Sequence, residues 1–271
     1  MPIHPLFPNL VYLTEDEHHQ YFDNEGKEYM SFSRCMKRFI GGEFNKEMIA
    51  RQTAKRDGVN ASDVLAGWDK RRDDGTKIDK ALEVYAQTGT IPDDCSELEA
   101  LLIPQVLSKY SKAYYNVCYE QVIVYSKEYR VAGSIDKTCI ISNRSTSDFD
   151  LGDFKCFDDG MGYDYKGEKY LKAPFDYLIN SKWNKITVQL SFYAVLLEKL
   201  TGRRCRRLFV DLIQPKKVDG KVVSYSNYVV PIQYLKPQIE QFLDMHKDMI
   251  LDVLEPTVVA QTETIENEEW F

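Results

Sequence analysis

The sequence predicts an α/β fold with a mixed central β-sheet, whose helices are segregated rather than alternating strictly with strands. Three observations predict it. Ser33–Tyr110 is predicted to be a helical stretch, and from Ser62 to Tyr85 apolar or small residues recur every three or four positions, which is a helical period. Tyr129–Ile141 is rich in β-branched and aliphatic residues, and after a polar interruption Asp148–Cys156 alternates as strands do. A strongly apolar helix, Ile186–Leu200, is followed by two further strands and a last helix.

The individual elements follow from these periods and from the turn and cap residues between them. An N-terminal hairpin is predicted from Leu10–Leu13, Gln20–Phe22 and Lys27–Ser31, with a turn at Asn24-Glu25-Gly26. The predicted helices are Ser33–Ile40, Asn45–Arg56, Ser62–Gln87 (N-cap Ser62, stop Gly89), Cys95–Tyr110, Ile186–Leu200 (stop Gly202) and Pro237–Leu254. The predicted strands are Tyr115–Tyr125, Tyr129–Ile141, Asp148–Cys156, Arg207–Ile213 and Val222–Ile232, with tight turns at Lys127-Glu128 and Asp219-Gly220.

Length and composition limit the class of protein. With 271 residues and 44% hydrophobic content, the chain is predicted to form one domain. Its parts would be an N-terminal hairpin and helical annex (1–110), a core (111–254) and an acidic tail (255–271). No apolar run is long enough for a membrane span, and no leader is recognisable, so no membrane partner is expected. Six scattered cysteines predict reduced thiols in a cytoplasm.

The most informative residues are two aspartates and a lysine around a predicted hairpin. If the polar stretch Ser142–Ser147 is the loop, Asp136 lies directly opposite Asp153, and Lys155 points to the same face as Asp153. Two carboxylates this close repel each other unless a cation neutralises them, and Mg²⁺ prefers such oxygen ligands. The alternative is an exposed ion pair on a surface hairpin.

Two helices carry further polar pairs. Asp79 and Glu83 are one turn apart, beside the apolar stripe of the predicted helix Ser62–Gln87. Taken alone, such a pair is more commonly two solvated acids on a long surface helix. Gln189 and Tyr193 share one face of the apolar helix, where buried polar groups need partners. A phosphate or a base would supply those partners, as would local contacts in a helix that serves only the core.

The segment before the apolar helix interleaves cations with aromatic residues. Its lysines are Lys166, Lys169, Lys172, Lys182 and Lys185, and its aromatic residues are Tyr163, Tyr165, Tyr170, Phe175, Tyr177 and Trp183. Such a pattern is typical of single-strand nucleic-acid channels, although it also fits a solvated loop whose aromatics pack on the core. The formal net charge of −7 does not indicate nucleic-acid binding, but binding needs only a local basic stripe.

In this order, the motifs resemble the PD-(D/E)XK nuclease superfamily, and within it the RecB-like and phage-type exonuclease branch. That branch has a helical glutamate after a Gly-Thr start, a Gly-x-x-Asp strand, an Asp-x-Lys strand and a Gln-x-x-x-Tyr helix. The corresponding residues here are Glu83 (after Gly75-Thr76), Asp136, Asp153 with Lys155, and Gln189 with Tyr193. Each motif alone is unspecific. The resemblance, from Ser31 to Gly202, implies a restriction-endonuclease-like core.

The resemblance also implies roles for these residues. The chain would be a Mg²⁺- or Mn²⁺-dependent DNA nuclease using one or two ions, and more specifically an exonuclease of a bacterial or phage-encoded cytoplasmic system. Catalytic residues would be Glu83, Asp136, Asp153, Lys155, Gln189 and Tyr193. Metal ligands would be Asp136, Asp153, the carbonyl of Phe154 and Glu83, with Asp79 and Glu120 as further candidates. DNA contacts would come from Lys169, Lys172, Lys182, Lys185, Gln189 and Tyr193.

The chain departs from its apparent relatives in two ways. Many of them have a metal-binding histidine where Asp79 stands, which favours oxygen coordination here. None of the cysteines lies after Cys205 or forms a Cys-x-x-Cys pair, so an iron–sulfur cluster is not expected. The acidic tail could contact recombination or replication proteins. The competing hypotheses are a catalytically silent nucleic-acid-binding or assembly module, and an unrelated α/β protein.

Overall fold

The computed structural model of the protein describes residues 14–15, 20–41, 46–110, 115–117, 122–135, 140–142, 147–157 and 170–255. The helices are α1 (Phe32–Cys35), continued by a π-helix (Met36–Ile40), then α2 (Lys46–Asp57), α3 (Ala61–Thr88), α4 (Glu97–Ser108), α5 (Lys182–Thr201) and α6 (Lys236–Leu254). The strands are β1 (Thr14–Glu15), β2 (Tyr21–Phe22), β3 (Glu28–Ser31), β4 (Tyr115–Val117), β5 (Val122–Ser126), β6 (Val131–Ile135), β7 (Ile140–Ser142), β8 (Asp148–Cys156), β9 (Arg204–Val218) and β10 (Lys221–Ile232).

The predicted α/β class is confirmed, and the strands that the structure describes fall into two mixed sheets flanked by helices. Their orders are β1-β2-β3-β6-β5 and β10-β9-β8-β7-β4. Within them, β3 runs parallel to β6 and β8 runs parallel to β9, whereas the other pairs are antiparallel. The N-terminal hairpin therefore belongs to the same sheet as β5 and β6, because β3 pairs with β6. The sequence pattern did not predict this pairing.

The helix ends follow the expected cap chemistry with one correction. Gly89 and Gly202 adopt the left-handed conformation after α3 and α5, as predicted. The N-cap of α3 is Asn60, two residues before the predicted Ser62, because the helix already begins at Ala61. Ser96 caps α4 in a capping box with Glu99.

The predicted pairing of Asp136 opposite Asp153 is wrong in its register. The structure pairs Ile140 with Gly152 and Ile141 with Leu151, whereas the prediction requires Gly152 to lie opposite Lys137. The prediction centred the hairpin on its polar loop. In the structure β8 is instead held over its whole length by parallel pairing with β9. The predicted strand Tyr129–Ile141 is correspondingly divided, with β6 in one sheet and β7 in the other.

The tight turn predicted at Lys127-Glu128 is longer than expected. Ser126 pairs with Val131, so residues 127–130 form the turn and Arg130 has a φ of 52°. The turn at Asp219-Gly220 is confirmed, with φ values of 50° and 75°. It joins β9 and β10 in a long hairpin that contains a bulge between Val222 and Ser224.

The core forms on both faces of β8. Phe149 and Leu151 belong to the larger cluster, together with Val188 and Phe192 of α5. Phe154, on the opposite face, packs in a second cluster with residues of α3 and α4, among them Ile78, Leu82 and Ile103. Among the residues described, no helix is both long and apolar enough to cross a membrane.

Candidate active site

Asp153 and Lys155 lie side by side near the end of β8. They share the face of β8 that carries Phe149 and Leu151, because side chains alternate along a strand. Lys155 Nζ is 2.6 Å from Asp153 Oδ2, and the two side chains are 22% and 8% exposed, respectively. An aspartate so little exposed needs a compensating cation, and Lys155 supplies one.

Gln189 and Tyr193 form a hydrogen-bonded pair on α5. Gln189 Nε2 donates to Tyr193 Oη over 3.0 Å, which matches the face shared by positions four apart in a helix. Tyr193 is buried, and Gln189 is half-buried and lines a cleft together with Lys155. The structure therefore brings the Asp-x-Lys strand and the Gln-x-x-x-Tyr helix to one place.

Gly133 of β6, the first residue of the Gly-x-x-Asp motif, packs against the ring of Tyr193. A Cβ atom at position 133 would lie 2.3 Å from Cε1 of Tyr193, closer than any real contact allows. Only glycine therefore lets β6 approach the Tyr193 ring so closely. The first residue of the Gly-x-x-Asp motif is therefore in contact with α5, the helix that carries the Gln-x-x-x-Tyr motif. The aspartate of the Gly-x-x-Asp motif, Asp136, lies outside the described residues, as does Glu120.

Asp79 and Glu83 lie next to the apolar residues through which α3 packs against β8. Ile78 and Leu82 are buried beside Phe154, whereas Asp79 and Glu83 are half-buried. This packing sets α3 against the face of β8 opposite Asp153 and Lys155. Glu83 Oε1 accepts a long hydrogen bond of 3.4 Å from Gln87 Nε2.

The metal prediction stays a prediction. Among the described residues, no three histidine, cysteine, aspartate or glutamate side chains are grouped so that they could hold an ion. Two predicted acids, Asp136 and Glu120, are outside that part of the chain. The donor that is described fits Mg²⁺ or Mn²⁺, because Asp153 offers a hard carboxylate oxygen. The carbonyl of Phe154 is part of the same strand.

The predicted DNA-binding lysines separate into three groups. Lys182 and Lys185 line the cleft that contains Lys155 and Gln189. Lys172 lies outside this lining, with its Nζ 3.4 Å from the carbonyl oxygen of Arg38. Lys169 is outside the described residues. Of the interleaved aromatics, Phe175 and Trp183 are buried in the core, whereas Tyr170 and Tyr177 are exposed.

Lys182 and Lys185 have different surroundings. Lys182 Nζ lies 3.7 Å from the centroid of the Phe157 ring, a cation–π contact. Lys185 is half-buried, and this burial lowers the pKa of its ammonium group below the ordinary value. Its Cε would be 3.2 Å from a Cβ at position 41, where the chain has glycine.

The cleft also has a wall that the sequence did not indicate. Ser33, Met36 and Lys37, from α1 and the π-helix, line it opposite α5. Their helix was predicted, but no motif or spacing marked these positions. The only available signal was a lysine in the first predicted helix, which is common on any helix surface.

Comparisons with known proteins find similarity to a solved structure but to no established family. No family model matches the chain, and no curated protein matches it. A solved protein from Eubacterium rectale named "putative exonuclease" is similar to this chain, with a TM-score of 0.41 and 15% sequence identity. The similarity covers 91% of this chain and 88% of that one.

Proposed function

We propose that the protein is a metal-dependent nuclease that hydrolyses phosphodiester bonds in DNA, acting as an exonuclease. The observation that carries the proposal is the Asp153–Lys155 pair, whose lysine opens into a cleft lined by Lys37, Lys182, Lys185 and Gln189. A carboxylate for a cation lies there next to positive charge for phosphates. The ordered resemblance to PD-(D/E)XK nucleases supports the same activity.

Asp153 is proposed to hold Mg²⁺ or Mn²⁺ together with Asp136 and the carbonyl of Phe154. Glu83, predicted from the sequence as a further ligand, is left out of this set because α3 packs on the opposite face of β8. The ion would lower the pKa of a bound water and offset charge on the phosphate. Lys155 keeps its ammonium beside the carboxylate of Asp153, from where it orients the attacking water and stabilises charge that develops on the phosphate oxygens.

Gln189 and Tyr193 are proposed to position the strand rather than to take part in proton transfer. Because Gln189 Nε2 donates to the Tyr193 oxygen, the Tyr193 hydroxyl hydrogen is directed to another acceptor. The close packing of Gly133 fixes the Tyr193 ring, so the pair is held before substrate arrives. Such preorganisation places the nucleotide next to the bond to be cleaved.

The decisive experiment compares cleavage of end-labelled single- and double-stranded DNA by the wild type and by Asp153→Asn. We expect the wild type to release nucleotides from strand ends with Mg²⁺ or Mn²⁺ and to stop in excess chelator. Asp153→Asn should lose cleavage but keep DNA binding, since it retains shape and removes only the ligand charge.

A circular, nick-free substrate separates exonuclease from endonuclease activity in the same assay. Binding without cleavage under every metal condition would contradict the proposal and favour the silent binding or assembly module. Undiminished cleavage in chelator would instead exclude the metal-dependent mechanism. If neither binding nor cleavage occurs, the motifs coincide by chance in an unrelated α/β protein.

A further inference from the structure

The cleft beside the candidate active site has two walls of different origin. Its volume is about 540 Å³, and it lies between the first helical segment (Phe32–Ile40) and the beginning of α5. Lys37 contributes from the first wall, Lys182 and Lys185 from the second, and Lys155 from β8. The described lining residues include these four lysines and no acidic side chain. Lys155 is paired with Asp153, so Lys37, Lys182 and Lys185 supply the excess of basic over acidic side chains in this lining, in a protein whose formal charge is −7.

The same cleft has an apolar part. Phe32, Met36 and Ile186 also line it; Phe32 and Ile186 are buried in the core, so the half-buried Met36 is the apolar side chain most available to a ligand. A site for a simple anion has no use for apolar surface. A nucleotide has both parts, since its phosphate requires cations and its base offers a flat face. Met36 is suited to such a face, because its thioether is flexible and makes favourable contacts with aromatic rings.

The cleft is large enough for one nucleotide. A volume of about 540 Å³ is typical of pockets for single small ligands. In a duplex the bases are stacked and paired, so a base can contact the apolar wall only after leaving the stack. The combination of apolar surface, cations and size therefore fits an unpaired nucleotide.

The first wall is fixed in place rather than loosely attached. Ser31 caps the helix by accepting a hydrogen bond of 3.2 Å from the Arg34 N–H. At the other end, the Lys172 N–H donates to the Ile40 carbonyl over 2.8 Å, and Asn180 Nδ2 donates to the Gly41 carbonyl over 3.0 Å. Met36 and Lys37 stand between these anchors, at the start of the π-helix. Short π-helical turns are frequent at functional sites.

We propose that this cleft binds one unpaired nucleotide of a nucleic-acid strand, with its base against Met36 and its phosphate between Lys37, Lys182 and Lys185. The inference rests on the proposed nuclease function and deepens it, because it makes a single strand or an opened strand end the substrate. Lys37 and Met36 are then strand-binding residues in addition to the predicted ones.

The test measures binding without cleavage. Fluorescence anisotropy in excess chelator compares a labelled oligothymidine with a blunt hairpin duplex that has the same number of nucleotides. Wild type should bind the single strand at least about tenfold more tightly. Lys37→Gln should weaken single-strand binding about tenfold, as expected when one charged hydrogen bond is removed. Lys216→Gln, the same change at an exposed lysine of β9 that is not part of the cleft lining, should leave it unchanged.

Substitutions of Met36 test the proposed contact with the base independently of the contacts between lysines and phosphate. Met36→Ser should weaken single-strand binding without altering its salt dependence, whereas Met36→Leu, which keeps the volume, should restore most of the affinity. Thermal denaturation of each variant verifies that it is folded. Equal affinity for duplex and single strand would overturn the inference. So would a loss of affinity with Lys37→Gln no larger than that with Lys216→Gln.

The inference and the proposed function fail in different assays. Single-strand binding that depends on Lys37 and Met36, with no cleavage in Mg²⁺ or Mn²⁺, would support the nucleotide site and contradict the nuclease. Metal-dependent cleavage that is insensitive to Lys37→Gln and Met36→Ser would leave the nuclease intact and overturn the nucleotide site.

Discussion

The ammonium group of Lys155 pairs with the carboxylate of Asp153, and the same side chain lines the basic cleft. It is therefore placed to interact both with Asp153 and with a ligand in the cleft. Removing its ammonium takes a cation from the weakly exposed Asp153 and, under the proposed function, would also take a donor from the bound phosphate. The first effect lowers stability, and the second lowers the rate. Kinetics and unfolding measurements on the same variants can separate them.

We predict that Lys155→Ala lowers kcat by about 10²-fold, the typical effect of removing one preorganised donor. Lys155→Arg should not restore the rate fully, because a planar guanidinium places charge differently from a compact ammonium. Single-turnover cleavage at saturating DNA measures this directly. A raised KM with unchanged kcat would make Lys155 a binding residue only.

A second prediction concerns the Cβ atom that Gly133 lacks. Gly133→Ala should displace the Tyr193 ring, break its hydrogen bond with Gln189 and cost about 1–3 kcal/mol of stability, as overpacking usually does. We also expect kcat to fall in the folded protein. Urea denaturation and cleavage rates measure the two effects.

Gly152→Ala is the matched control for Gly133→Ala. A Cβ at position 152 would lie 2.4 Å from the Phe209 ring, on the face of β8 opposite Asp153. Its stability cost should be similar, with a smaller reduction of the rate. Adding Tyr193→Ala to Gly133→Ala should recover part of the stability by removing the clash. Full activity in Gly133→Ala would contradict the role assigned to the Tyr193 ring.

At the scale of elements, α3 carries Asp79 and Glu83 and is held by α4. Lys77 Nζ of α3 is 2.7 Å from Glu99 Oε2 of α4, and this same oxygen accepts a hydrogen bond of 2.7 Å from the Ser96 N–H. Burial alone would raise the pKa of Glu99, but the hydrogen bonds from Lys77 and Ser96 outweigh it and lower that pKa below 4.5.

The lowered pKa of Glu99 predicts that the protein becomes less stable in acid. Because the folded-state pKa lies below the unfolded value, these hydrogen bonds contribute fully above the unfolded value, and their contribution disappears as the pH falls through the folded-state pKa. Glu99→Gln should flatten this part of the pH dependence while keeping the cap, since glutamine also completes a capping box. Urea denaturation from neutral to acidic pH measures it. Identical profiles for both proteins would contradict the prediction.

At the scale of the whole molecule, the net charge of −7 opposes DNA binding, so under the proposed function the attraction for DNA would come from the basic cleft. We predict that Lys182→Gln and Lys185→Gln each lower the slope of log affinity against log salt concentration by roughly one, because each variant binds one phosphate fewer. Gln189→Ala should lower turnover and leave that slope nearly unchanged.

Titrating DNA affinity against salt concentration for these variants tests the prediction. Lys172→Gln is an informative comparison, because Lys172 was predicted to contact DNA but lies outside the cleft lining, near the carbonyl of Arg38. A salt dependence that is indifferent to Lys182 and Lys185 would place the DNA path on another surface.

The sequence predicted best what local chemistry decides. The strand Asp148–Cys156 and the ends of α3 and α5 at Gly89 and Gly202 were predicted correctly, because alternation and left-handed glycines act over a few residues. The register opposite Asp153 was wrong, because the long pairing with β9 fixes β8 and no local pattern indicates a partner that distant.

The site could be predicted only in part for the same reason. Gln189 and Tyr193 pair through helical spacing, which a sequence displays directly. Lys37 and Met36 enter the cleft because the first helical segment packs beside α5. That packing joins residues far apart in the chain, and an exposed helical lysine has no pattern that distinguishes it from its neighbours.

The hairpin of β9 and β10 has a consequence for behaviour at high concentration. The 12-residue strand β10 ends its sheet in the described part of the chain, so one row of its backbone groups has no neighbouring strand. Such an edge invites aggregation by strand addition. Pro231 removes one donor from β10, and the bulge between Val222 and Ser224 breaks its regular spacing. We therefore expect these two irregularities to hinder edge-to-edge pairing between separate copies.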